Sequence, residues 1–505
     1  MSSSPQPPRS TADEIERKYA ATAGQTLPDL STVSGVASID SDVVELSAQY
    51  FDTADLALLR ARITVRRREG GDDAGWHVKL PAGTDTRTEL HVPLTDDDSV
   101  PPSLLRLLRS VVRDEPVALA ALVSTTRARQ RLRDADGALL AEVVVDDVTA
   151  VRGADDTELH WREIEVELAT GDIALLDAVE DRLAAAGITR SPSPSKLHRV
   201  LGDLIPPAPR VKGAAGYLRE YLDHERHVLA LADIAVRRDA VDAVHSMRKA
   251  ARRLRSAVQT YSHDLNLDTA LVGELRWLGQ RLSPARDLEV QHERLTGRVA
   301  ELPVVAFREA TRARIDEYFT AKASAARVEA IDTLDSGRYL ELLRSLDALI
   351  DGLAEPDGRE QGGHRPKPAE LTRSAETVAG KVAKRVAKVS RTDDPVERDE
   401  RMHRARKGAK RLRYAIEVIS PLHPKRAARA LDRFDEFQDL LGEFQDSVVA
   451  RDHLVDMASE QGHAAESSFG LGILHRIEAE IGEQQAHRVE GAWQRAHRAA
   501  RRLWT

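Results

Sequence analysis

Charged side chains stand at every second position in much of the first two hundred residues of this 505-residue chain. The first such segment is Glu14-Ile15-Glu16-Arg17-Lys18. Because successive side chains of an extended strand point to opposite faces, two carboxylates and an ammonium share one face there. Carboxylate oxygens are hard ligands for Mg²⁺ or Mn²⁺, and lysine offers a compact charge to phosphate. Taken alone, the segment also fits a strand with a solvated charged face.

The same alternation recurs downstream and is separated by turn-forming runs at 70–73, 81–83 and 134–137. The segments are Val65-Arg66-Arg67-Arg68, His77-Val78-Lys79, Arg87-Thr88-Glu89 and the stretches 127–133, 142–146 and 163–167. This spacing predicts an antiparallel sheet of short strands. Two further segments, 102–112 and 173–186, are predicted to be helical.

An ordinary sandwich would leave all these charged faces in water, and that remains the alternative for any single strand. If the strands close into a barrel, the charged faces could line its interior. Uncompensated buried charge is very costly, so such an interior needs a charged occupant. An extended polyphosphate with divalent ions matches that need, because cations grip phosphate oxygens and carboxylates hold the metal.

Composition excludes several classes of protein. The chain has no cysteine, so disulfides and thiolate metal sites are ruled out and any metal must be held by oxygen or imidazole. No apolar stretch is long enough to span a bilayer, and the Ser/Pro-rich start lacks a signal core, so we expect a cytoplasmic protein without a membrane partner. A Gly-rich phosphate loop of the Walker type is also absent from the sequence.

The balance of charge changes sign near a Pro-rich segment at 204–211. Residues 1–205 carry 35 acids and 23 lysines and arginines, whereas residues 206–505 carry 47 acids and 51 lysines and arginines. We therefore predict a disordered N-terminus at 1–10, a domain at 11–203, a linker at 204–211 and a helical domain at 212–500. A Gly/Pro-rich break at 355–368 divides the last domain into bundles of about 212–354 and 369–500.

The order of motifs in residues 11–205 resembles the CYTH family, the triphosphate tunnel metalloenzymes. The motifs are Glu14-x-Glu16-x-Lys18, Tyr50-Phe51-Asp52-Thr53, Val65-Arg66-Arg67-Arg68, Gly75-Trp76-His77-Val78-Lys79, Arg87-Thr88-Glu89, the arginines from Arg127, the acids Glu142 and Asp146, Glu163-x-Glu165-x-Glu167 and Ser195-Lys196. The resemblance implies an eight-stranded antiparallel tunnel with flanking helices that hydrolyses a triphosphate with Mg²⁺ or Mn²⁺.

The resemblance also assigns roles to individual positions. Metal ligands would be Glu14, Glu16, Asp146, Glu163, Glu165 and Glu167. Triphosphate would be bound by Lys18, Arg66, Arg68, Lys79, Arg87, Arg127, Arg129 and Lys196, and the catalytic set would be Glu14, Glu16, Lys18, Lys79 and Lys196. One departure is Arg62, which stands in a turn where a small residue such as glycine is expected.

Beyond the linker, a basic helical segment occurs twice, 158 residues apart. The paired residues are His245, Arg248, Lys249, Arg252, Arg253 and Arg255 in one copy and His403, Arg406, Lys407, Lys410, Arg411 and Arg413 in the other. A second repeated pair of segments, 282–287 and 441–446, follows at nearly the same offset. Self-similarity on this scale predicts a duplicated helical bundle.

Each copy lacks acids along the helix, so a bound anion is expected to relieve the repulsion among its bases. Aromatic residues make up only 4% of the chain and do not interleave with the bases, so nucleic acid is not expected. The repeated segment resembles the CHAD family. That resemblance implies two pseudo-symmetric four-helix bundles that bind inorganic polyphosphate through these twelve residues, with the two histidines bonding to phosphate or to the neighbouring bundle.

Together these patterns predict a Mg²⁺- or Mn²⁺-dependent inorganic triphosphatase that also binds polyphosphate and is associated with polyphosphate granules. Three alternatives stay open at this point: a non-catalytic polyphosphate-binding scaffold, a nucleotide or thiamine triphosphatase, and an adenylyl cyclase. The motifs shared within the tunnel family do not separate these activities.

Overall fold

The computed structural model describes residues 10–22, 24–265, 267–354, 367–389, 391–392, 394–460 and 465–504. Its contacts divide the chain into two compact units, and the boundary in the sequence lies between Ala208 and Pro209. The predicted disorder of residues 1–10 and most of the break at 355–368 fall outside the described residues. No described helix is long and apolar enough to cross a membrane.

The first unit is built on antiparallel strands. They are β1 (Ser10–Ala21), β2 (Ser38–Thr53), β3 (Thr64–Glu69), β4 (Gly75–Pro81), β5 (Thr86–Val92), β6 (Val117–Arg133), β7 (Leu139–Arg152), β8 (Glu158–Leu168) and the two-residue β9 (Thr189–Arg190). Short helices intervene: α1 (Ala57–Arg60), α2 (Pro102–Leu107), α3 (Arg109–Val112), α4 (Ile173–Ala185) and α5 (Lys196–Leu201).

The sheet closes on itself. Its strand order is β5-β4-β3-β2-β6-β7-β8-β1, and β1 also pairs with β5. The N-terminal half of β1 runs beside β5 and its C-terminal half beside β8, while β9 adds to the outer edge of β1. The predicted eight-stranded antiparallel barrel is therefore confirmed.

Helix α4 covers the outside of the barrel. Its apolar side chains pack on Tyr19, Ile164 and Val166, which alternate with the predicted ionic residues. The helix begins after Asp172, whose side chain accepts from the backbone nitrogen of Leu175, and it was predicted at nearly these bounds. The helix predicted at 102–112 is instead divided into α2 and α3 at Leu108.

Helix α5 fills one end of the barrel interior. Its Leu197 and Val200 belong to the same apolar cluster as Val148 and Trp161. These two barrel residues face each other two positions from the pair formed by Asp146 and Glu163, so they point to the same, inner side. The first residue of α5 therefore lies next to the ionic part of the interior.

The second unit is entirely helical in its described residues, as predicted. Its helices are α6 (Gly213–Arg237), α7 (Ala243–Leu265), α8 (Ala270–Arg281), α9 (Ser283–Arg298), α10 (Val305–Asp335), α11 (Gly337–Gly352), α12 (Pro368–Val389), α13 (Pro395–Ile419), α14 (Pro424–Ser459) and α15 (Ala465–Arg501).

A four-helix plan is repeated in the two halves of this unit. In the second half, each of the helices α12, α13, α14 and α15 packs on the next one. In the first half the same order is formed by α6, α7, the pair α8 and α9, and α10. The single helix α14 corresponds to two helices in the first copy, where Pro284 stands in the first turn of α9. Helix α11 is additional and packs on α8 and α6.

Candidate functional site

The ionic side chains of the barrel converge on its interior. Lys79 of β4 contacts Glu14 of β1, although β5 lies between these two strands. Arg127 of β6 reaches Glu165 of β8 across β7, with Nη2 and Oε2 3.0 Å apart. Contacts between strands that are not neighbours form only when the side chains project into the bore. The predicted inward direction of these charges is therefore what the structure shows.

Three carboxylates meet near the inner end of α5. One oxygen from each of Asp146, Glu163 and Glu165 lies within 4.8 Å of the others, and we call these residues the carboxylate trio. The ammonium of Lys196 stands among them, 2.7 Å from Asp146 Oδ2, 2.6 Å from Glu163 Oε1 and 2.9 Å from Glu165 Oε1. Among the described residues, this is the one acidic group compact enough to hold a metal ion.

Cations keep two members of the trio ionised in spite of their burial. Burial would raise the pKa of Asp146, which is fully buried, but Lys196 and Arg127 hold that pKa below its usual value. In the same way, Lys18, Lys196 and Arg127 hold the pKa of Glu165 well below normal against the effect of burial. The negative charges of Asp146 and Glu165 are thus present at neutral pH.

Glu165 has the largest number of cation contacts in this part of the barrel. It contacts Lys18 Nζ, Lys196 Nζ and Arg127 Nη2, and Lys18 also donates to Glu16 at 3.0 Å. Arg127 donates to both oxygens of Asp146, at 2.8 and 2.7 Å. The six side chains form one continuous network that joins β1, β6, β7, β8 and α5.

A second ionic group lies further along β1. Glu14 contacts Lys79, and burial together with a hydrogen bond to Glu89 raises the pKa of Glu14 to about 8. Glu89 Oε1 lies 3.7 Å from Arg66 Nη2. Burial and nearby carboxylates, opposed by Lys79, leave Glu167 with a raised pKa, and no described residue forms an ion pair with it. Six predicted metal ligands therefore separate into the trio and Glu14, Glu16 and Glu167 beyond it.

Some residues of this interior were not among the predicted site residues. Glu89 links Arg66 to His77, whose Nδ1 lies 2.7 Å from Glu89 Oε1. Tyr50 OH lies 3.5 Å from Arg66 Nη1. Glu89 shares its strand face with Arg87, so the alternation alone could have identified it. Tyr50 carries no charge, so the alternation does not identify it, although it belongs to a motif of the family resemblance.

The remaining predicted phosphate ligands are held by local contacts. Arg68 pairs with Asp73, and Arg129 donates to both oxygens of Asp42 at 2.7 Å. Arg87 Nη1 donates to the carbonyl oxygen of Arg62 at 3.1 Å. Arg62 itself has a φ of 60°, in the left-handed region that glycine adopts without strain, so the turn has a conformation that a small residue would suit.

The trio is suited to a divalent metal ion. Its donors are carboxylate oxygens, the ligands that Mg²⁺ and Mn²⁺ prefer. Trp161 Nε1 donates to Glu163 Oε2 at 2.7 Å, which fixes the carboxylate. Its other oxygen, Oε1, is buried and accepts no hydrogen bond of good geometry, although Lys196 Nζ lies 2.6 Å from it. The residues present therefore fit a metal ion.

Four cations from the repeated helices meet in the second unit. Arg248 and Arg252 of α7 lie close to Arg406 and Lys410 of α13, the equivalent positions of the second copy, and we call them the four-cation cluster. Burial and the neighbouring arginines lower the pKa of Lys410 to about 6. No described residue forms an ion pair with Lys410.

Two aspartates from the second repeated segment border this cluster. Asp287 Oδ1 lies 2.9 Å from Arg248 Nη1, and Asp446 Oδ1 lies 3.9 Å from Arg406 Nη2. Two aspartates opposite four bases leave the cluster with an excess of positive charge. The predicted pseudo-symmetry thus extends to the counter-ions.

Three of the predicted bases have structural partners away from the cluster. Arg253 bridges Glu225 and Glu417 at 3.0 Å each, and Arg411 donates to the carbonyl oxygen of Gln259 at 2.9 Å. Arg413 Nε lies 2.6 Å from Asp435 Oδ1. The absence of acids along the basic segments 244–262 and 401–416 is therefore compensated in part by acids of other helices and of the end of α13.

The other five predicted bases are more open. Lys249 and Lys407 are exposed, Arg255 is half-buried beside Arg252, and His245 is exposed. His403 Nδ1 lies 2.7 Å from Gln445 Oε1 of α14, which belongs to the same bundle, so this contact differs from the predicted bond to phosphate or to the neighbouring bundle.

Comparisons with known proteins agree with this architecture. The family model of the CYTH domain matches residues 12–201, and that of the CHAD domain matches residues 217–455. The uncharacterized protein Rv2226 of Mycobacterium tuberculosis is 36% identical over 513 residues, which cover 97% of each chain. PptA from Streptomyces chartreusis is 20% identical, with a TM-score of 0.45 over 56% of this chain and 100% of that chain. The CHAD domain from Ricinus communis is 25% identical, with a TM-score of 0.46 over 56% and 92%.

Proposed function

Because the chain belongs to the family of proteins that join a CYTH domain to a CHAD domain, we propose that its barrel hydrolyses inorganic triphosphate with a divalent metal ion. CYTH domains are divalent-metal-dependent members of the triphosphate tunnel metalloenzyme superfamily. The observation that carries the proposal is the convergence of ionic side chains in the bore, with the carboxylate trio near α5 and cations around it. Cations and a metal site in one narrow interior suit a linear polyanion.

The proposed roles follow from where the residues lie. The trio, with Glu16 nearby, would hold the metal ion, which neutralises phosphate oxygens and lowers the pKa of a bound water. Lys18, Arg66, Lys79 and Arg127 lie on four different strands, so they can contact a phosphate chain from several sides. They would bind the phosphate oxygens and hold the chain in the orientation that in-line displacement requires. They would also stabilise the charge that develops on these oxygens during phosphoryl transfer.

The shape of the interior favours a slim substrate. Apolar residues of α5 fill one end, so the substrate enters an interior with one closed end. Tyr50 and Trp161, the aromatic residues in the charged contacts described above, are both buried, so their rings offer little free surface to a nucleobase. Inorganic triphosphate is the substrate that uses only the charged part of the bore.

A substrate panel at equal Mg²⁺ concentration tests the proposal on the full chain. Phosphate release is measured with triphosphate, long polyphosphate, ATP and thiamine triphosphate, and triphosphate is expected to be hydrolysed fastest. Faster use of ATP would favour a nucleotide triphosphatase, and formation of cyclic AMP an adenylyl cyclase. Binding of triphosphate without turnover would favour a non-catalytic scaffold.

Two neighbouring aspartates give a matched pair of variants. Asp146→Asn removes a trio ligand and is expected to lower hydrolysis by about a hundredfold or more. Asp147→Asn changes the next residue, which faces outward and pairs with Arg162 at the barrel surface, and is expected to retain activity. Equal activity of the two variants would contradict the role of the trio.

We propose in addition that the four-cation cluster binds inorganic polyphosphate. The support is the excess of positive charge that two equivalent helices bring to one place. Retention of the full chain on immobilised polyphosphate tests this, with Arg252→Glu expected to reduce retention. Arg404→Glu is the control, because Arg404 is exposed and pairs with Glu400 on its own helix. Recruitment to polyphosphate granules in the cytoplasm follows from this proposal and stays a prediction.

A further inference from the structure

Lys196 stands at the point where a metal ion must bind. Its ammonium lies 2.6–2.9 Å from one oxygen of each member of the carboxylate trio. A divalent ion held by those same oxygens at about 2.1 Å would lie within a few ångströms of the ammonium. Two cations so close together repel strongly in a buried site. The ammonium and the metal ion therefore exclude each other.

The position of Lys196 is built into the fold. Leu197 and Val200 of the same helix are buried inside the barrel end, and Arg152 Nη2 donates to the carbonyl oxygen of Val200 at 2.8 Å. A lysine at the first position of a helix meets the positive end of the helix dipole, which disfavours it. The trio compensates for this, so Lys196 and the trio stabilise each other when no metal is bound.

We propose that Lys196 serves as an internal cation that metal ions must displace, and that the displaced ammonium is taken up by the phosphate substrate. This inference rests on the proposed metal-dependent function of the barrel. Because the side chain of Lys196 is long, its ammonium can turn from the trio to a polyanion in the adjacent bore while α5 stays in place. When a metal ion binds alone, the displaced ammonium has no partner. When triphosphate binds with the metal ion, the phosphate oxygens become the partner of the ammonium.

The consequence is positive coupling between the two ligands. Metal binding is weak in the absence of the polyanion and becomes stronger in its presence. By linkage, the metal ion must strengthen binding of the polyanion by the same factor. The free barrel keeps its buried carboxylates compensated, because an uncompensated buried charge is costly.

Binding of Mn²⁺ to the full chain tests this without any turnover. Lys196→Met is expected to bind Mn²⁺ alone roughly tenfold to a hundredfold more tightly than the wild type, the range for removing charge-assisted contacts that compete. The measurement is isothermal titration calorimetry at about pH 8, well above the usual pKa range of carboxyl groups. Lys196→Gln is the second variant, and thermal unfolding checks that each protein is folded.

Arg190→Met is the matched control. Arg190 also lies between two acids, Asp85 and Glu180, but on β9 at the outer edge of the barrel. It removes one positive charge from the same unit and is expected to leave Mn²⁺ affinity unchanged. Equal tightening in this variant would mean that general charge, not displacement, is responsible, and would overturn the inference.

Coupling is measured with the imido analogue of triphosphate, in which nitrogen replaces the bridging oxygens. The wild type should bind Mn²⁺ at least about tenfold more tightly with the analogue present, after correction for metal held by the analogue in solution. The gain should be smaller in Lys196→Met. The inference is overturned if the analogue does not increase the Mn²⁺ affinity of the wild type. It is also overturned if neither Lys196 variant binds Mn²⁺ alone more tightly than the wild type.

The outcomes separate this inference from the proposed function. If the Lys196 variants and the analogue change Mn²⁺ affinity as expected but the protein does not hydrolyse triphosphate, the proposed function is refuted and the displacement of Lys196 is not. Normal hydrolysis with no effect of the Lys196 variants on Mn²⁺ affinity would refute the displacement alone.

Discussion

Replacing Glu165 by glutamine should test the ionic network of the barrel most directly. Glu165 contacts the ammonium groups of Lys18 and Lys196 and the guanidinium of Arg127, and it is only 9% exposed. Removing one partner from a buried ion pair costs about 3–5 kcal/mol, because the remaining charges stay buried without compensation. The free energy of unfolding of the first unit should fall by that amount in Glu165→Gln.

Glu167→Gln is the comparison that isolates the contacts. Glu167 lies two residues further along β8 and faces the same side of the strand, but burial raises its pKa and no described residue pairs with it. Glutamine has nearly the shape of glutamate and no ion pair is lost, so the free energy of unfolding should change by less than about 1 kcal/mol. The two variants make the same chemical change at adjacent inward positions.

Differential scanning calorimetry of the full chain without metal measures the effect. For a unit of about 200 residues, each kcal/mol shifts the melting temperature by about 2–4 °C. Glu165→Gln should therefore lower one transition by roughly 6–20 °C, and Glu167→Gln should move it by only a few degrees. Equal shifts in the two variants, or a stabilised Glu165→Gln, would refute the reasoning that the cation contacts stabilise the barrel.

Three more predictions concern other parts of the chain. Charge reversal at Arg248 and Arg252 together should abolish retention on immobilised polyphosphate while triphosphate hydrolysis persists; loss of both activities would mean that the units are not separable. Because the pKa of Lys410 is lowered to about 6, the free side chain is largely neutral at pH 7, and a bound polyanion should draw a proton onto it. Polyphosphate should therefore bind more tightly as the pH falls from about 8 to about 6, and calorimetry in two buffers of different ionisation enthalpy should detect proton uptake that Lys410→Met lacks. Arg62→Gly should stabilise the first unit by about 1 kcal/mol, because glycine adopts a φ of 60° without strain; its denaturant midpoint should rise, and an unchanged or lower midpoint would contradict this.

Much of the barrel could be predicted because its periodicity is local. Every second residue is ionic over 14–18 of β1 and 163–167 of β8, and residues between them, such as Ile164 and Val166, are apolar and buried under α4. A strand of this kind has two chemically different faces, and a one-residue slip would exchange them. The sequence therefore determined the antiparallel strands and the set of ionic residues that face inward. Closure of the sheet into a barrel followed once the ionic faces were placed in the interior.

The helical unit shows where this local inference ends. The equivalent arginines Arg248 and Arg406 meet in one cluster, as the duplication indicated, but Arg253 turns to Glu225 and Glu417 on other helices. Residues on one helix face can have partners on different helices, and those partners depend on packing that the periodicity does not contain. The break between α8 and α9 has the same origin, since the proline there ends a helix that continues in the second copy.

The sequence by itself determined two units of opposite charge balance, a barrel whose alternating strands carry their ions on one face, and a basic helix that occurs twice. Only the tertiary structure decided which ions meet. It brings Lys196, Asp146, Glu163 and Glu165 together from α5, β7 and β8, and it places Lys410 beside arginines of another helix. The physical reason is that alternation and helical period fix the direction of a side chain within its own element, whereas an ion's partner and its pKa depend on distances between elements far apart in the chain.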